Sequence, residues 1–405
     1  MSSSNLVSIV YEEENEGYGV RMEPAVDSLM YTARFTSEGL SGTPQTTEST
    51  ELRTDRMSSG QVVTGLDVGG DVSWELSSDK FFDDWFEAGM MSRWVAAFDL
   101  ATTVTLTPDP VNDQLATLTT SDEFAEAVVG SVITFTPASG DSVVVQVISV
   151  DTPSTIFTVG TKRGEAAVAG EAITATIPSY VDIGSEQISF LVGKSYKDVE
   201  HDATTDVHSQ TYGGTLVSGF SVTAAYGEIV NGTFTTMANS YVQEYPSYQQ
   251  QVVAAGGTIT PAGTTNPLNA SIDVPLVMVG NEPTDFCIEN LNLTLDNGLT
   301  PQNCIGKAAP TGYTLGTANV AITMSMYLSD TAYDAFMPKK LSQEPVAMLV
   351  TMENLDGGYI FEITAAQLSF PDPSAEGQNQ QTMIEAAGVG KVGENGESAL
   401  RVHKL

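Results

Sequence analysis

Val68-Gly-Gly-Asp-Val-Ser-Trp-Glu-Leu-Ser77 is the stretch that sets the fold class. Val68, Gly70, Val72, Trp74 and Leu76 fall on one face of an extended chain; Gly69, Asp71, Ser73, Glu75 and Ser77 fall on the other. That period of two is the signature of a half-buried strand. A helical signal follows at once in Ser78-Asp-Lys-Phe-Phe-Asp-Asp-Trp-Phe-Glu-Ala88. Ser78 or Asp79 can cap it, and acidic residues crowd its first turns. Phe82, Trp85 and Phe86 make an apolar stripe at helical spacing.

The same unit recurs late in the chain. Val320, Ile322, Met324, Met326 and Leu328 alternate along a strand, and Ser329-Asp-Thr-Ala-Tyr-Asp-Ala-Phe336 follows. The pattern Asp-x-x-[Phe/Tyr]-Asp-x-[Trp/Phe] therefore starts at Asp79 and again at Asp330. Upstream, Phe35 to Leu40 resembles Leu293 to Leu299, and Thr-Pro-Gln follows both, at Thr43 and at Thr300. Downstream, Phe190-Leu-Val192 matches Met348-Leu-Val350. Several small matches in one order indicate a duplication.

The span from Trp85 to Val192 is far longer than that from Phe336 to Val350, so the first copy carries an insertion. Val132 to Phe135, Val143 to Val150 and Thr155 to Val159 read as short strands of a small β-barrel at about 102–178. Gly69-Gly70-Asp71 and Asp296-Asn297-Gly298 carry turn chemistry. The predicted fold is mainly β: two tandem sandwich or barrel modules, each with a short flanking helix, plus the inserted barrel. The expected boundaries are an N-terminal arm at 1–27, a first module at 28–101 and 179–240, the insertion at 102–178, a linker at 241–270, and a second module with a C-terminal tail at 271–405.

Composition narrows the function. The 405 residues hold 51 Asp and Glu against 16 Lys and Arg, a formal net charge of -35. Such a chain repels nucleic acid and anionic lipid, although the surplus also serves plain solubility. The charged fraction is 17% and the apolar fraction 41%, which suits a folded chain with real cores. Two cysteines, Cys287 and Cys304, make no disulfide framework. The start of the chain lacks a signal-peptide pattern, and no apolar run approaches a membrane span. His201 and His208 sit among acids, where a solvated loop outweighs a metal site. Glu12 to Glu16 reads as a solvated arm. Asp83 and Asp84 are neighbours that point in different directions on a helix and form no acid/base pair. No nucleophile, phosphate-loop or zinc motif occurs. Catalytic residues, cofactors and metals are therefore all expected to be none, and the chain is not expected to be an enzyme.

Arg34-Phe-Thr-Ser-Glu, Glu51-Leu-Arg-Thr-Asp-Arg, Gly70-Asp-Val-Ser-Trp-Glu-Leu-Ser, Phe82-Asp-Asp-Trp-Phe-Glu-Ala, Gly227-Glu-Ile-Val-Asn-Gly-Thr-Phe and the Leu328-Ser-Asp helix resemble the tail tube proteins of long-tailed (siphovirus-type) bacteriophages. The resemblance implies a helix-flanked β-sandwich whose rings stack into a hollow tube. It also implies an inner wall made of one continuous barrel from neighbouring subunits, and DNA as cargo that passes unbound. The implied partners are further copies of the chain and other tail proteins, with no membrane, in a virion tail assembled in the host cytoplasm.

On that footing the polar faces of the matched strands, Asp71, Ser73, Glu75, Thr323, Ser325 and Tyr327, are expected to line the bore. Arg53 and Arg56 are expected at contacts between subunits or rings. The insertion is expected outside the tube, dispensable for assembly. Two modules per chain favour three chains per ring with pseudo-sixfold symmetry over a ring of six chains. Alternatives are another virion part (baseplate hub, tail terminator or capsid decoration protein), an extracellular adhesin-like β protein, and a glycan-active enzyme on a β scaffold.

Overall fold

The computed structural model describes residues 6–14, 28–51, 54, 57, 60–111, 115–127, 130–138, 140, 142–151, 154–161, 165–201, 205–279, 287–337, 345–373, 381–393 and 396–405. The first part of the chain forms β1 (Val7–Glu13), β2 (Leu29–Thr32), β3 (Ser37–Glu38), β4 (Ser41–Glu48), β5 (Gln61–Glu75) and helix α1 (Lys80–Met90). Six strands then close a barrel: β6 (Phe98–Pro108), β7 (Leu115–Thr120), β8 (Val132–Phe135), β9 (Val143–Asp151), β10 (Ile156–Gly160) and β11 (Val168–Ile177). The chain returns through β12 (Ser179–Asp182), β13 (Ser189–Glu200), β14 (Val207–Ala225), β15 (Asn231–Met237), β16 (Ser240–Glu244), α2 (Tyr248–Ala254) and β17 (Thr258–Thr260). The last part holds β18 (Leu276–Val279), β19 (Ile288–Asp296), β20 (Thr300–Pro301), β21 (Tyr313–Thr314), β22 (Asn319–Tyr327), α3 (Asp330–Phe336), β23 (Val346–Asn354), β24 (Gly357–Ser369), β25 (Met383–Gly390) and β26 (Arg401–Lys404). The chain is mainly β, as its alternation predicts.

Two parts of the sheet, here called the first and second copy, share a strand order. The first copy runs β1-β13-β14-β15-β5, with β3 and β4 on the far edge of β5. The second runs β18-β23-β24-β25-β22-β19 in the same order, again antiparallel throughout. β16 lies along the first half of β14 as β26 lies along the first half of β24. Helices α1 and α3 each follow the matching strand, β5 or β22. The two copies join where the second half of β14 pairs with β19, from Gly219 opposite Asp296 to Ala225 opposite Asn290.

One core spans both copies. Phe81, Phe82, Trp85 and Phe86 of α1 are buried with Trp74, Phe190, Phe220 and Phe234 of the first copy and Tyr359 and Phe361 of the second. Trp85 stacks on Phe190 at 5.7 Å, and Phe86 meets Phe361 edge-on at 5.7 Å. The adjacent acids of α1 point to different partners. Asp84 accepts from Tyr11 Oη of β1, and Asp83 accepts from Tyr359 Oη and Lys404 Nζ of the second copy. Asp79 is the N-cap residue without a side-chain cap; its carboxylate accepts the Gly263 N–H instead.

Four features depart from the expectations. Residues Val7–Glu13, assigned to a solvated arm, are an inner strand between β13 and β2, with Ile9, Val10 and Tyr11 buried. The 241–270 linker contains β16, α2 and β17, and α2 closes its first turn with a Ser247–Gln250 capping box. Gly69-Gly70 lies inside β5 rather than at a turn. A Cβ at Gly70 would sit 2.2 Å from the Gly39 carbonyl oxygen, and the backbone there has φ of 147°. Helix equivalence also sits one residue earlier than the Asp79–Asp330 pattern indicates, because N-cap Asp79 matches N-cap Ser329. Buried Phe82 then matches buried Ala332, whereas Tyr333 is half exposed.

The inserted barrel has its own core, including Leu106, Leu118, Phe124, Phe135, Val145 and Phe157. It is also packed onto the second copy: Val132 and Val144 are buried with Leu276, Met278, Leu349 and Ile360. The corresponding face of the first copy, with Val10 and Leu191, is covered by Tyr248 and Val252 of α2.

Candidate functional site

The joined sheet has one buried and one wet side. Along β5, Val72 and Trp74 are buried while Asp71 and Glu75 are exposed. Along β22, Val320, Ile322, Met324 and Met326 are buried, while Thr323 is exposed and Ser325 and Tyr327 are half-buried. The structure therefore brings Asp71, Ser73, Glu75, Thr323, Ser325 and Tyr327 to the same wet side of one sheet.

Strand register shows what lies between them. One cross-strand row reads Ser37, Ser73, Thr233, Ser221, Thr294, Ala321, Val389, Gln367, over eight neighbouring strands. The next reads Glu75, Asn231, Thr223, Asn292, Thr323, Ala387, Ser369. Hydroxyl and amide side chains bond one another across the strands: Ser73 Oγ lies 3.3 Å from Thr233 Oγ1, and Asn292 Nδ2 donates to Thr223 Oγ1 at 3.0 Å. Such pairs stiffen a sheet.

Acidic residues complete the surface. Asp67, Asp71, Glu75, Asp296 and Glu385 are exposed. None of β3, β4, β5, β15, β19, β22, β24 or β25, nor the second half of β14, carries a Lys or Arg; Lys391 is one residue past β25. The Glu289 carboxylate pushes the Tyr327 phenol up from its ordinary value.

Several of the described cations are instead tied into the fold. Lys194 pairs with Glu38 at 2.7 Å, Arg401 with Asp182 at 2.8 Å, and Arg93 with Glu13 and Glu186. Arg53 and Arg56 lie outside the described residues. The described part of this surface is thus wet, hydroxyl-rich and anionic, and its strands carry no Lys or Arg to hold a polyanion.

Other sequence candidates fall elsewhere. His201 and His208 gather on Tyr245, with the His201 ring stacked on it at 3.5 Å. No group of three or more His, Cys, Asp or Glu is placed to hold a metal among the described residues. Cys287 and Cys304 are exposed free thiols. Alternation within 290–296 signals that Asn290, Asn292 and Thr294 share a face. Their placement beside β14 comes only from the strand pairing.

The profile of a family described as phage tail tube protein matches residues 4–390. No curated protein matches the chain.

Proposed function

The chain belongs to the phage tail tube protein family, and on that premise we propose that it is the tube subunit of a long-tailed phage whose wet sheet face lines the bore. It is a structural component of the virion tail, and the family implies self-assembly and contact with other tail proteins. The proposal adds that rings of this chain stack into a conduit for DNA, that the chain catalyses no reaction, and that assembly occurs in the host cytoplasm.

The observation that carries it is the cation-free, hydroxyl-rich face over eight neighbouring strands. Duplex DNA presents a dense row of phosphates, and each Lys or Arg contact would hold it by releasing counterions. A conduit needs the reverse: weak repulsion, and a hydrated surface that water can lubricate. Asp71, Ser73, Glu75, Thr323, Ser325 and Tyr327 are the proposed bore residues, and Arg53 and Arg56 remain proposed contacts between subunits or rings.

Geometry favours three chains per ring. Adjacent strands lie about 4.8 Å apart, so three chains of eight strands close a ring roughly 37 Å across between backbones, before tilt widens it. Barrels of about 16–18 strands already leave an aqueous channel. Two modules per chain supply the pseudo-sixfold repeat. We also propose the first module at 28–101 and 179–240, with β1 added to it, and the second at 271–405.

Averaged electron microscopy images of the purified protein test this reading. The expected result is stacked rings with three chains per layer and Asp71 and Glu75 on the bore. Six chains per layer would overturn the trimer, and those two acids on the outer surface would overturn the bore assignment.

A further inference from the structure

We infer that the seam between copies inside the chain is repeated between chains, with the end of β24 adding to the β3–β4 edge of a second copy. The inference rests on the tube reading and names the edges that meet.

Within the chain, β14 carries β15 on one side and, on the other, β13 followed by β19. β24 carries β25 on one side and β23 on the other, but the β23 ladder stops at Val346 opposite Ala366. Gln367, Leu368 and Ser369 have no strand on that side among the described residues. Among the described residues, no strand takes on β24 the place that β19 takes on β14. At the opposite end of the joined sheet, β3 and β4 pair only with β5 among the described residues. They are the first-copy counterparts of β19. Each copy thus presents the same two edges, and one pair of them is already joined.

Counterparts follow from the ladders. With Asp79 matched to Ser329, the pairings carry Gly219 onto Gln367, Phe220 onto Leu368 and Ser221 onto Ser369. The same steps carry Asp296 onto Ser41, Leu295 onto Leu40 and Thr294 onto Gly39. Gly219, Phe220 and Ser221 face Asp296, Leu295 and Thr294. Gln367, Leu368 and Ser369 should then face Ser41, Leu40 and Gly39 of the next chain.

Burial supplies an independent check. This register sets exposed Gln367 against exposed Ser41 and exposed Ser369 against exposed Gly39. It sets Leu368, 6% exposed, against Leu40, 3% exposed, as Phe220 is set against Leu295. A slip by one residue would put each apolar side chain opposite a wet one. At the receiving edge the Leu40 N–H donates to Glu38 and the Leu40 carbonyl accepts from Tyr212 Oη and Lys194 Nζ within the subunit, so addition of β24 would exchange these side-chain hydrogen bonds for ladder bonds. Pairing these edges head to tail generates a closed ring and removes the free strand edges.

A disulfide tests it. In a background with Cys287→Ser and Cys304→Ser, Ser41→Cys and Gln367→Cys are introduced together; both positions are exposed, so the fold should persist by circular dichroism. Directly opposed Cβ atoms are within reach of a disulfide. Oxidised assemblies should run as covalent dimers and trimers on a denaturing gel, while either single-cysteine variant stays monomeric. Pairing Ser41→Cys with Leu368→Cys, whose side chain points to the other face, should give at least about tenfold less product. Tubes in the micrographs without any cross-linked product from the Ser41→Cys, Gln367→Cys pair would overturn the inference and leave the tube reading standing. Monomers at every concentration, with no product, would overturn both.

Discussion

Two residues show how narrow the tolerances are. Gly219 stands at the seam of the two copies, where an added Cβ would lie 2.2 Å from the Leu295 carbonyl oxygen. That neighbour is backbone and cannot rotate away. Gly219→Ala should cost about 1–3 kcal/mol as an overpacking change, read as a lower urea midpoint; an unchanged midpoint would show that the seam is loose. Asp84 makes a pH prediction. Its carboxyl is raised above the ordinary value chiefly by burial, against the lowering pull of Lys80. A group raised on folding contributes stability that is fully present below its unfolded pKa and lost as pH rises through the folded value. The stability of the wild type relative to Asp84→Asn should therefore improve as pH falls from neutral toward about 4, measured by paired thermal melts. A gap that widens against the wild type on acidification would contradict the burial account.

At the scale of elements, helices α1 and α3 hold matching places in the strand order but do not bury the same surface. Phe82 lies beneath Trp74 at 5.3 Å between ring centroids and is fully buried. Tyr333, its partner in the Asp-x-x-[Phe/Tyr] pattern, is 51% exposed. Phe82→Ala should cost about 3–5 kcal/mol, and Tyr333→Ala should stay within about 0.5 kcal/mol. Equal losses would restore the pattern's alignment and refute the cap-based one. The pattern was legible because aromatic and acidic residues repeat; which residue faces the core depends on the strand each helix leaves.

For the whole molecule, the inserted barrel acts as a cover. Val95 and Tyr180 exchange backbone hydrogen bonds at 2.7 and 3.2 Å, so the ends of the insertion are held side by side. Excision of 98–177 with a short Gly-Ser joint is therefore feasible without stretching the chain. It would uncover Leu276, Met278, Leu349 and Ile360, a contiguous apolar patch of the kind that promotes association. The excised protein should bind a hydrophobic dye, melt earlier and aggregate, in contrast to the dispensable decoration that the sequence suggests. A monomeric product with an unchanged melting temperature would return the barrel to that role.

Alternation from Val68 to Leu76, its echo from Val320 to Leu328 and the strands between Val132 and Val159 determined the mainly β class and pointed to a repeated unit and a small barrel between 102 and 178. They did so because side-chain direction along a strand is a local property with a period of two. The bare acidity of the wet face was equally local: no Lys or Arg occurs in its strands. Tertiary structure decided the rest. Glu12 and Glu13 looked solvated until β1 found β13, and 241–270 looked like a linker until Tyr248 and Val252 found Val10 and Leu191. The β14–β19 seam and the burial of Val132 under the second copy carry no local mark, since a strand edge or an apolar side chain is stabilised by partners that only the folded chain brings near.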